Sequence, residues 1–263
     1  MNNPNQAKAA IFDLDKTILA TSSALAMRKP LRKAGMLSRS DELASTLVQI
    51  PFLLFGEAEA RNDRVRKQLG KISNGWQIDN LNEIAQAAAL SAMRPLCYVE
   101  ALDRIEMHKA AGYKVVIATA SPSPLVQPLA DLLGADYMLA TTVTVRGGQL
   151  TGEVTDFNHG KYKADAVERL AKREGWDLSK CWAYSDSISD LDLLGLVGHP
   201  VAVNPDRQLR GVARENQWEI TRFQRTVQLR PKDFAARALA VTALAATGIA
   251  SIYLISRSSL KDR

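Results

Sequence analysis

Five short apolar runs, each four or five residues long, alternate along the 263-residue chain with segments of helical periodicity. Such runs between helical segments predict buried strands of a parallel sheet, because parallel connections need crossovers that place helices on both faces. The sequence therefore predicts an α/β fold with a doubly wound parallel sheet. The runs are residues 9–12, 114–118, 136–140, 181–185 and 199–203. A β-hairpin is also predicted over residues 142–154, where Gly147 and Gly148 mark the turn.

The first run ends in two aspartates separated by one residue, Asp13 and Asp15, and Thr17 follows. Side chains at i and i+2 of an extended segment point to the same side, so both carboxylates can face one reaction centre. Two carboxylates in one site repel each other unless a cation or a proton separates them. The pattern indicates phosphoryl transfer at a metal site, with Asp13 attacking and Asp15 carrying protons. A strand end followed by an acidic turn is the simpler alternative.

Three later segments carry groups that suit a phosphate ester. The second run leads into Thr119 and a predicted helix, where a hydroxyl and free N–H groups form a phosphate cradle. Lys161 and Lys163 lie at the start of another predicted helix, and a lysine there can neutralise phosphate charge. The fourth run is followed by Asp186, a further carboxylate for a metal ion.

With these residues in this order, the chain resembles the haloacid dehalogenase (HAD) superfamily of aspartate-based phosphohydrolases. It is most similar to the branch, within subfamily IB, that holds phosphoserine phosphatase. The resemblance covers about residues 8–222 and rests on four motifs that run from Asp13 to Asp190. It implies that Asp13 is the nucleophile and Asp15 the general acid/base. It also implies Mg²⁺ bound by the Asp13 carboxylate, the Asp15 carbonyl and Asp186, with Asp190 in support.

The same resemblance assigns the phosphate-binding groups. Thr119 and the N–H of Ala120 are expected to bind the phosphoryl oxygens, with Lys163 as the cation beside them. Lys161 stays open as an alternative to Lys163. Thr17 completes the first motif and is expected to support the site.

Residues 19–95 separate the first predicted strand from the others, and this mostly helical stretch is too long for a simple crossover. It resembles the helical cap that family members insert after the first motif. The expected domains are a catalytic core of residues 1–18 and 96–222, a cap of residues 19–95, and a C-terminal segment of residues 223–263. Caps of this kind close over the phosphate site and select the leaving group.

The expected substrate contacts depart from those of phosphoserine phosphatases. Those enzymes usually have a glutamate shortly after the first motif that meets the substrate amino group. Residues 20–23 are Ala, Thr, Ser and Ser here, so that contact is missing from the sequence. Arg64 is a candidate for binding a substrate carboxylate, and a solvated basic helix face is the alternative.

Positive charge is concentrated at the C-terminal end of the chain. Residues 225–263 contain seven basic and two acidic residues, and therefore +5 of the net charge of +6. The rest of the chain is nearly neutral, which argues against a nucleic-acid partner. The N-terminus lacks an apolar secretory core and the two cysteines form no disulfide or metal pattern, so the expected location is the cytoplasm.

Residues 238–256 form a stretch of nineteen uncharged positions. As a helix they would be about 28 Å long, close to the thickness of the hydrocarbon layer of a bilayer. The stretch predicts a C-terminal hydrophobic helix that anchors the protein to the inner face of the membrane. Its small residues suit the alternative, a helix that docks on protein or forms a homodimer.

The sequence as a whole predicts a Mg²⁺-dependent phosphatase that hydrolyses a small, phosphoserine-like organic phosphate monoester through an aspartyl-phosphate. The first rival is a membrane-associated phosphatase for a lipid-like phosphate, suggested by residues 238–256 and the apolar run 47–55. The second is a non-catalytic phosphate-binding scaffold. Transfer of the phosphoryl group to an alcohol instead of water is compatible with the same residues.

Overall fold

The computed structural model describes residues 8–37, 67 and 70–227. Arg64, the apolar run 47–55 and the predicted C-terminal helix over residues 238–256 lie outside these residues. In the part of the chain that is described, no helix has the length and apolar character needed to cross a bilayer.

A mixed sheet of seven strands forms the centre of the described region. The strands are β1 (Ala9–Asp13), β2 (Lys114–Pro122), β3 (Tyr137–Arg146), β4 (Gln149–Asp156), β5 (Trp182–Ser185), β6 (His199–Val203) and β7 (Glu219–Thr221). Their order is β4-β3-β2-β1-β5-β6-β7, and every neighbouring pair is parallel except β3 with β4. The chain reverses its direction of travel across the sheet between β1 and β5, which makes this the topological switch point.

Helices cover both faces of this sheet, as expected for the doubly wound fold. The α-helices whose bounds lie within the described residues are α1 (Ser23–Lys33), α2 (Ile78–Ala88), α3 (Val99–Ala110), α4 (Ser123–Leu132), α5 (Lys161–Glu174), α6 (Leu191–Leu196) and α7 (Arg207–Glu215). Side chains of β1 alternate between two apolar cores, with Ile11 packed among residues of α5, α6 and α7 and Phe12 on the other face. Because the central strands are buried on both faces, residues that point to either side are apolar, and the runs in the sequence are continuous.

All five predicted strands are present, and two features of the sheet extend beyond the prediction. β3 continues past residue 140 directly into the predicted hairpin, so strand and hairpin are one element. Gly147 and Gly148 form its turn with φ angles of 56° and 76°, which glycine adopts without steric cost. β7 was not predicted, because its three residues, Glu219–Thr221, are mostly exposed and form no apolar run.

Helices α1 and α2 belong to the segment predicted to be a cap. They contact each other, and α4 of the core contacts both. Helix α1 begins after Ser22, whose hydroxyl accepts a hydrogen bond from the N–H of Leu25 at 3.2 Å. Helix α2 continues into a π-helical turn, Ala89–Met93, and a 3₁₀ turn, Arg94–Leu96.

Three extended segments pair where the chain leaves the core for this region and returns. The N–H of Ala20 donates to the carbonyl of Leu96 at 2.8 Å, and that of Tyr98 to Ile18 at 2.8 Å. On the other side, the N–H of Val227 donates to the carbonyl of Cys97 at 2.9 Å. A truncated protein that keeps these hydrogen bonds must therefore retain Val227.

The buried His108 makes the fold sensitive to acid. It is 2% exposed, and its Nε2 lies 2.8 Å from the hydroxyl of Tyr184, which stacks on Phe12. Burial lowers the pKa of His108 from 6.5 to about 4. The unfolded chain therefore binds more protons than the folded protein between these pH values, and stability falls as pH falls through this window.

We expect the wild type to lose about 1–2 kcal/mol more stability than His108→Gln between pH 7 and pH 5, because the amide cannot titrate. Urea unfolding at both pH values measures the difference. His199→Gln is the matched control, since His199 is exposed at the start of β6. Equal pH dependence of wild type and His108→Gln would contradict the prediction.

Candidate active site

The predicted site residues meet at the carboxyl ends of the central strands. Asp13 is the last residue of β1 and pairs in register with Ala118 of β2, one residue before Thr119. Asp186 follows the last residue of β5, on the other side of the switch point. Ligands bind at this edge in open α/β sheets, so the architecture places these groups where a substrate is expected.

Lys163 is the buried cation of the site. Its Nζ donates to Asp13 Oδ1 at 2.7 Å and to Asp190 Oδ2 at 2.9 Å. Ser185 adds a hydrogen bond from its hydroxyl to the same oxygen of Asp190 at 2.7 Å. Lys161, two residues earlier in α5, is exposed. Of the two lysines considered from the sequence, Lys163 is therefore the one that contacts the aspartates.

The start of α5 determines which lysine points inward. Gly160 precedes the helix with a φ of 56° and a ψ of −131°, a conformation that strongly favours glycine. From there, Lys163 shares the buried face of α5 with Val167 and Leu170, at i+4 and i+7. The helix ends at Gly175, as its left-handed conformation requires.

Asp15 is held in place by the first residue of α1 and the end of β2. Its Oδ1 accepts from the N–H of Ser23 at 2.8 Å, and its Oδ2 from the hydroxyl of Ser121 at 3.4 Å. The hydroxyl oxygens of Ser23 and Ser121 are 2.5 Å apart. No role in the site was predicted for either serine. The one signal for Ser23 in the sequence is its position eight residues after Asp15.

Burial governs the protonation of the acidic groups. It raises the pKa of Asp13 well above its usual range, although the charge of Lys163 opposes this; Asp190 and Asp186 raise it further. Burial also raises the pKa of Asp186 to about 7. The charge of Lys16 lowers this pKa, whereas the charge of Asp190 raises it. The pKa of Asp15 is raised by burial too, and the hydrogen bond from the Ser23 N–H moderates the shift.

This donor set fits a hard divalent cation. Asp190 Oδ1 is buried and has no hydrogen-bond partner within the described ranges, so the acidic cluster has unused acceptor capacity. Mg²⁺ prefers oxygen ligands and is usually bound by one or two carboxylates together with water and phosphate. Among residues 8–37, 67 and 70–227, no three His, Cys, Asp or Glu side chains converge as a complete metal cage.

The end of β2 is held in shape by a buried asparagine that the sequence analysis missed. Asn158 Nδ2 donates to the carbonyls of Thr119 at 3.1 Å and Leu139 at 2.7 Å. Thr119 Oγ1 accepts from the N–H of Ser121 at 3.1 Å, and a hydroxyl that accepts one bond can still donate its own O–H. Ala120 is half-buried beside it. These groups have the chemistry of the predicted phosphate cradle.

The expected roles of Thr17 and Arg64 stay predictions. Thr17 is fully buried, and its hydroxyl has no hydrogen-bond partner in the part of the chain that is described. Its neighbours Leu14 and Ile18, in the turn after β1, are buried in the apolar core. Arg64 lies outside the described residues.

The fold and the candidate site together are those of an α/β enzyme with its acidic and basic groups gathered at the switch point of the sheet. The model of the haloacid dehalogenase-like hydrolase family matches residues 10–195. A "Probable phosphatase" of Mycobacterium tuberculosis is 42% identical over 95% of this chain and 87% of its own length. A phosphoserine phosphatase of the same organism is 36% identical over 82% of this chain and 71% of its own length.

A solved structure from Bordetella pertussis, of a protein with unknown function, has the same fold. Its TM-score is 0.70 at 26% identity, over 82% of this chain and 98% of that one. The chain belongs to the haloacid dehalogenase-like hydrolase family, and it is a phosphoric monoester hydrolase of the phosphoserine phosphatase-like type.

Proposed function

We propose that this protein is a Mg²⁺-dependent phosphatase that hydrolyses a small organic phosphate monoester through an aspartyl-phosphate on Asp13. The observation that carries the proposal is the buried ion pair of Asp13 and Lys163, with Asp15 fixed beside it by Ser23 and Ser121. A nucleophile beside a positioned acid/base and a cation has the composition that covalent phosphoryl transfer requires.

In the first step, a carboxylate oxygen of Asp13 attacks phosphorus while the bond from phosphorus to the ester oxygen breaks. Asp15 gives its proton to the departing alkoxide, which leaves as the alcohol. Lys163, the Thr119 hydroxyl and the Ala120 N–H stabilise the negative charge on the phosphoryl oxygens. The raised pKa of Asp15 supports this assignment, because a carboxyl group must hold a proton near neutral pH to act as the acid.

In the second step, Asp15 accepts a proton from water, and the water oxygen attacks phosphorus. The bond from Asp13 to phosphorus breaks, inorganic phosphate leaves, and Asp15 is again protonated. The Asp13 and Asp186 carboxylates and the Asp15 carbonyl are the residues that would hold Mg²⁺. When bound, the ion neutralises phosphoryl charge and relieves the repulsion among the buried carboxylates.

Phosphoserine is the first substrate to test, since a relative 36% identical to this chain is a phosphoserine phosphatase. Residues 20–23 nevertheless carry no carboxylate, and Ser22 and Ser23 in this segment are committed to capping α1 and to holding Asp15. A monoester without an amino group is therefore the second class to include. The lipid-phosphate alternative relies on residues outside the described ranges, and no described contact favours it.

The deciding measurement is phosphate release from O-phosphoserine, other small monoesters and a lysophosphatidate, each with Mg²⁺ and with EDTA. We expect turnover of at least one small monoester and its loss, by about a hundred-fold or more, on chelation. Turnover that persists in EDTA would contradict the metal requirement. Turnover of the lysophosphatidate alone would favour the lipid-phosphate alternative, and inactivity on every substrate would favour the non-catalytic scaffold.

A further inference from the structure

The loop after β5 carries both Asp186 and Asp190, and a residue outside that loop is bonded to its backbone. Its internal bonds surround a short 3₁₀ turn, Ile188–Asp190, in which the N–H of Asp190 donates to the carbonyl of Ser187 at 3.1 Å. Serine hydroxyls add to it: Ser187 Oγ accepts from the N–H of Ser189 at 3.3 Å, and the Ser185 hydroxyl donates to Asp190 Oδ2 at 2.7 Å. The 3₁₀ turn is a weak constraint, because hydrogen-bond geometry in such turns is poor, and the serine bonds tie residues 185–190 only to one another.

Asp206 contacts this loop at two backbone positions. Its N–H donates to the carbonyl of Asp186 at 2.8 Å, and its Oδ2 accepts from the N–H of Ile188 at 2.8 Å. Its second carboxylate oxygen, Oδ1, caps α7 by accepting from the N–H of Leu209 at 2.8 Å. Both oxygens are therefore committed, one to the acidic loop and one to a helix, so Asp206 ties the loop to α7.

The turn after β6, which leads to Asp206, is fixed by hydrogen bonds of Asn204. Asn204, two residues earlier, has a φ of 45°, a left-handed conformation that asparagine tolerates better than most residues. Its side chain makes two bonds to Phe223, from Nδ2 to the carbonyl at 2.9 Å and from the Phe223 N–H to Oδ1 at 3.1 Å. These bonds fix the turn that presents Asp206 to the loop.

We propose that Asp206 is a positioning residue for divalent-cation binding. It sets the backbone of residues 186–190 so that Asp186 and Asp190 face Asp13, without itself touching the substrate or the ion. The inference rests on the proposed function, since it concerns the same site. Groups that orient metal ligands typically change metal affinity or activity by about 10–100-fold when they are removed.

The most informative substitution is Asp206→Asn. Asparagine can still cap α7 through its Oδ1, but its amide NH₂ then faces the N–H of Ile188 and cannot accept from it. Asp206→Ser is the second variant, because serine also caps helices but has no second acceptor that reaches the loop. Both variants thus keep the helix cap and remove the contact to Ile188.

Calorimetric titration of the full chain with MgCl₂ tests the proposal, together with amide hydrogen exchange of residues 187–190. We expect both variants to bind Mg²⁺ about 10–100-fold more weakly than the wild type and to exchange faster in this loop. Phosphatase activity of the variants is expected to recover in part at high Mg²⁺. Asp177→Asn is the matched control, since Asp177 accepts from the N–H of Ser179 at another short 3₁₀ turn.

Wild-type Mg²⁺ affinity in Asp206→Asn or in Asp206→Ser would overturn the inference and leave the proposed function intact. A wild-type protein that turns over a phosphate ester but binds no Mg²⁺ would overturn both the inference and the metal requirement. If Asp206→Asn does not fold, Asp206→Ser decides. A loss of affinity as large in Asp177→Asn would show a general effect of destabilisation and would also overturn the inference.

Discussion

Replacing Asp13 by asparagine is expected to lower phosphate release by at least about a thousand-fold, while the protein stays folded. The substitution keeps the shape of the side chain and removes the oxygen nucleophile that would form the covalent bond to phosphorus. The amide can still accept from Lys163 Nζ, which contacts Asp13 Oδ1 at 2.7 Å in the wild type. Initial rates with saturating Mg²⁺ and the preferred substrate measure the effect.

Asp15→Asn is the matched comparison, because it removes the acid/base and leaves the nucleophile. With an aryl phosphate, whose leaving group needs no proton, this variant should form the covalent intermediate and hydrolyse it slowly. Mass spectrometry of the quenched protein is expected to show one added phosphoryl group in Asp15→Asn and none in Asp13→Asn. A phosphorylated Asp13→Asn protein would place the nucleophile elsewhere.

The convergence of the motifs was predictable from the strands alone. Each motif follows an apolar run, and parallel strands bring their carboxyl ends to one edge of the sheet. The fold class and the approach of Asp13, Thr119 and Asp186 therefore follow from continuous apolar runs separated by helical segments. Their distances and protonation states do not, because these depend on burial that only the packed structure determines.

The choice between the two lysines illustrates this limit. Lys161 and Lys163 are two positions apart, so they point to clearly different sides of α5, but the sequence does not state which side faces the strands. The helix begins after the left-handed Gly160, and the burial of Val167 fixes its rotation. The start of the helix and its rotation must both be known before Lys163 can be identified as the lysine that faces the strands.

The residues that position the site by hydrogen bonds could not be predicted from the sequence, and the reason differs from that for the lysines. Ser121, Asn158 and Asp206 act through hydrogen bonds to groups that are far away in sequence or belong to the backbone. A polar side chain that bonds to the backbone has the same residue type as many other polar residues in loops, so the sequence does not distinguish it from them. Their roles follow from the tertiary structure alone.

Asp15 also connects the site to the segment predicted as the cap. Ser23, whose N–H is bonded to Asp15, is the first residue of α1, and Ser121 bonded to both belongs to β2. The position of Asp15, the proposed acid/base, thus depends on how α1 packs against the end of β2. Substitutions inside α1 that shift its start are therefore expected to change the rate of phosphate release.

The Lys163→Met substitution is expected to destabilise the protein by about 3–5 kcal/mol. Lys163 is 3% exposed and contacts Asp13 and Asp190, which are 6% and 2% exposed. Burial alone would lower the pKa of Lys163, but the two carboxylates raise it above its ordinary value, so it carries a full charge. Methionine fills the space of the stem and leaves both acids without their cation.

The pH dependence gives the sign of this effect. Burial already raises the pKa of Asp13, and loss of Lys163 removes the charge that opposes the rise. A carboxyl whose pKa is higher in the folded state than in the unfolded state favours folding when protonated, so acid should restore stability to the variant. We expect the deficit of Lys163→Met against the wild type to shrink between pH 7 and pH 5, as measured by urea unfolding.

Lys161→Met is the control on the same helix, since Lys161 is exposed and the substitution removes the same charge. It should change stability by less than about 0.5 kcal/mol and leave phosphate release close to that of the wild type. Lys163→Met should in addition lose activity by about a hundred-fold or more, because the cation beside the phosphoryl oxygens is gone. Equal deficits in the two variants would mean that the buried contacts of Lys163 contribute nothing that an exposed lysine does not.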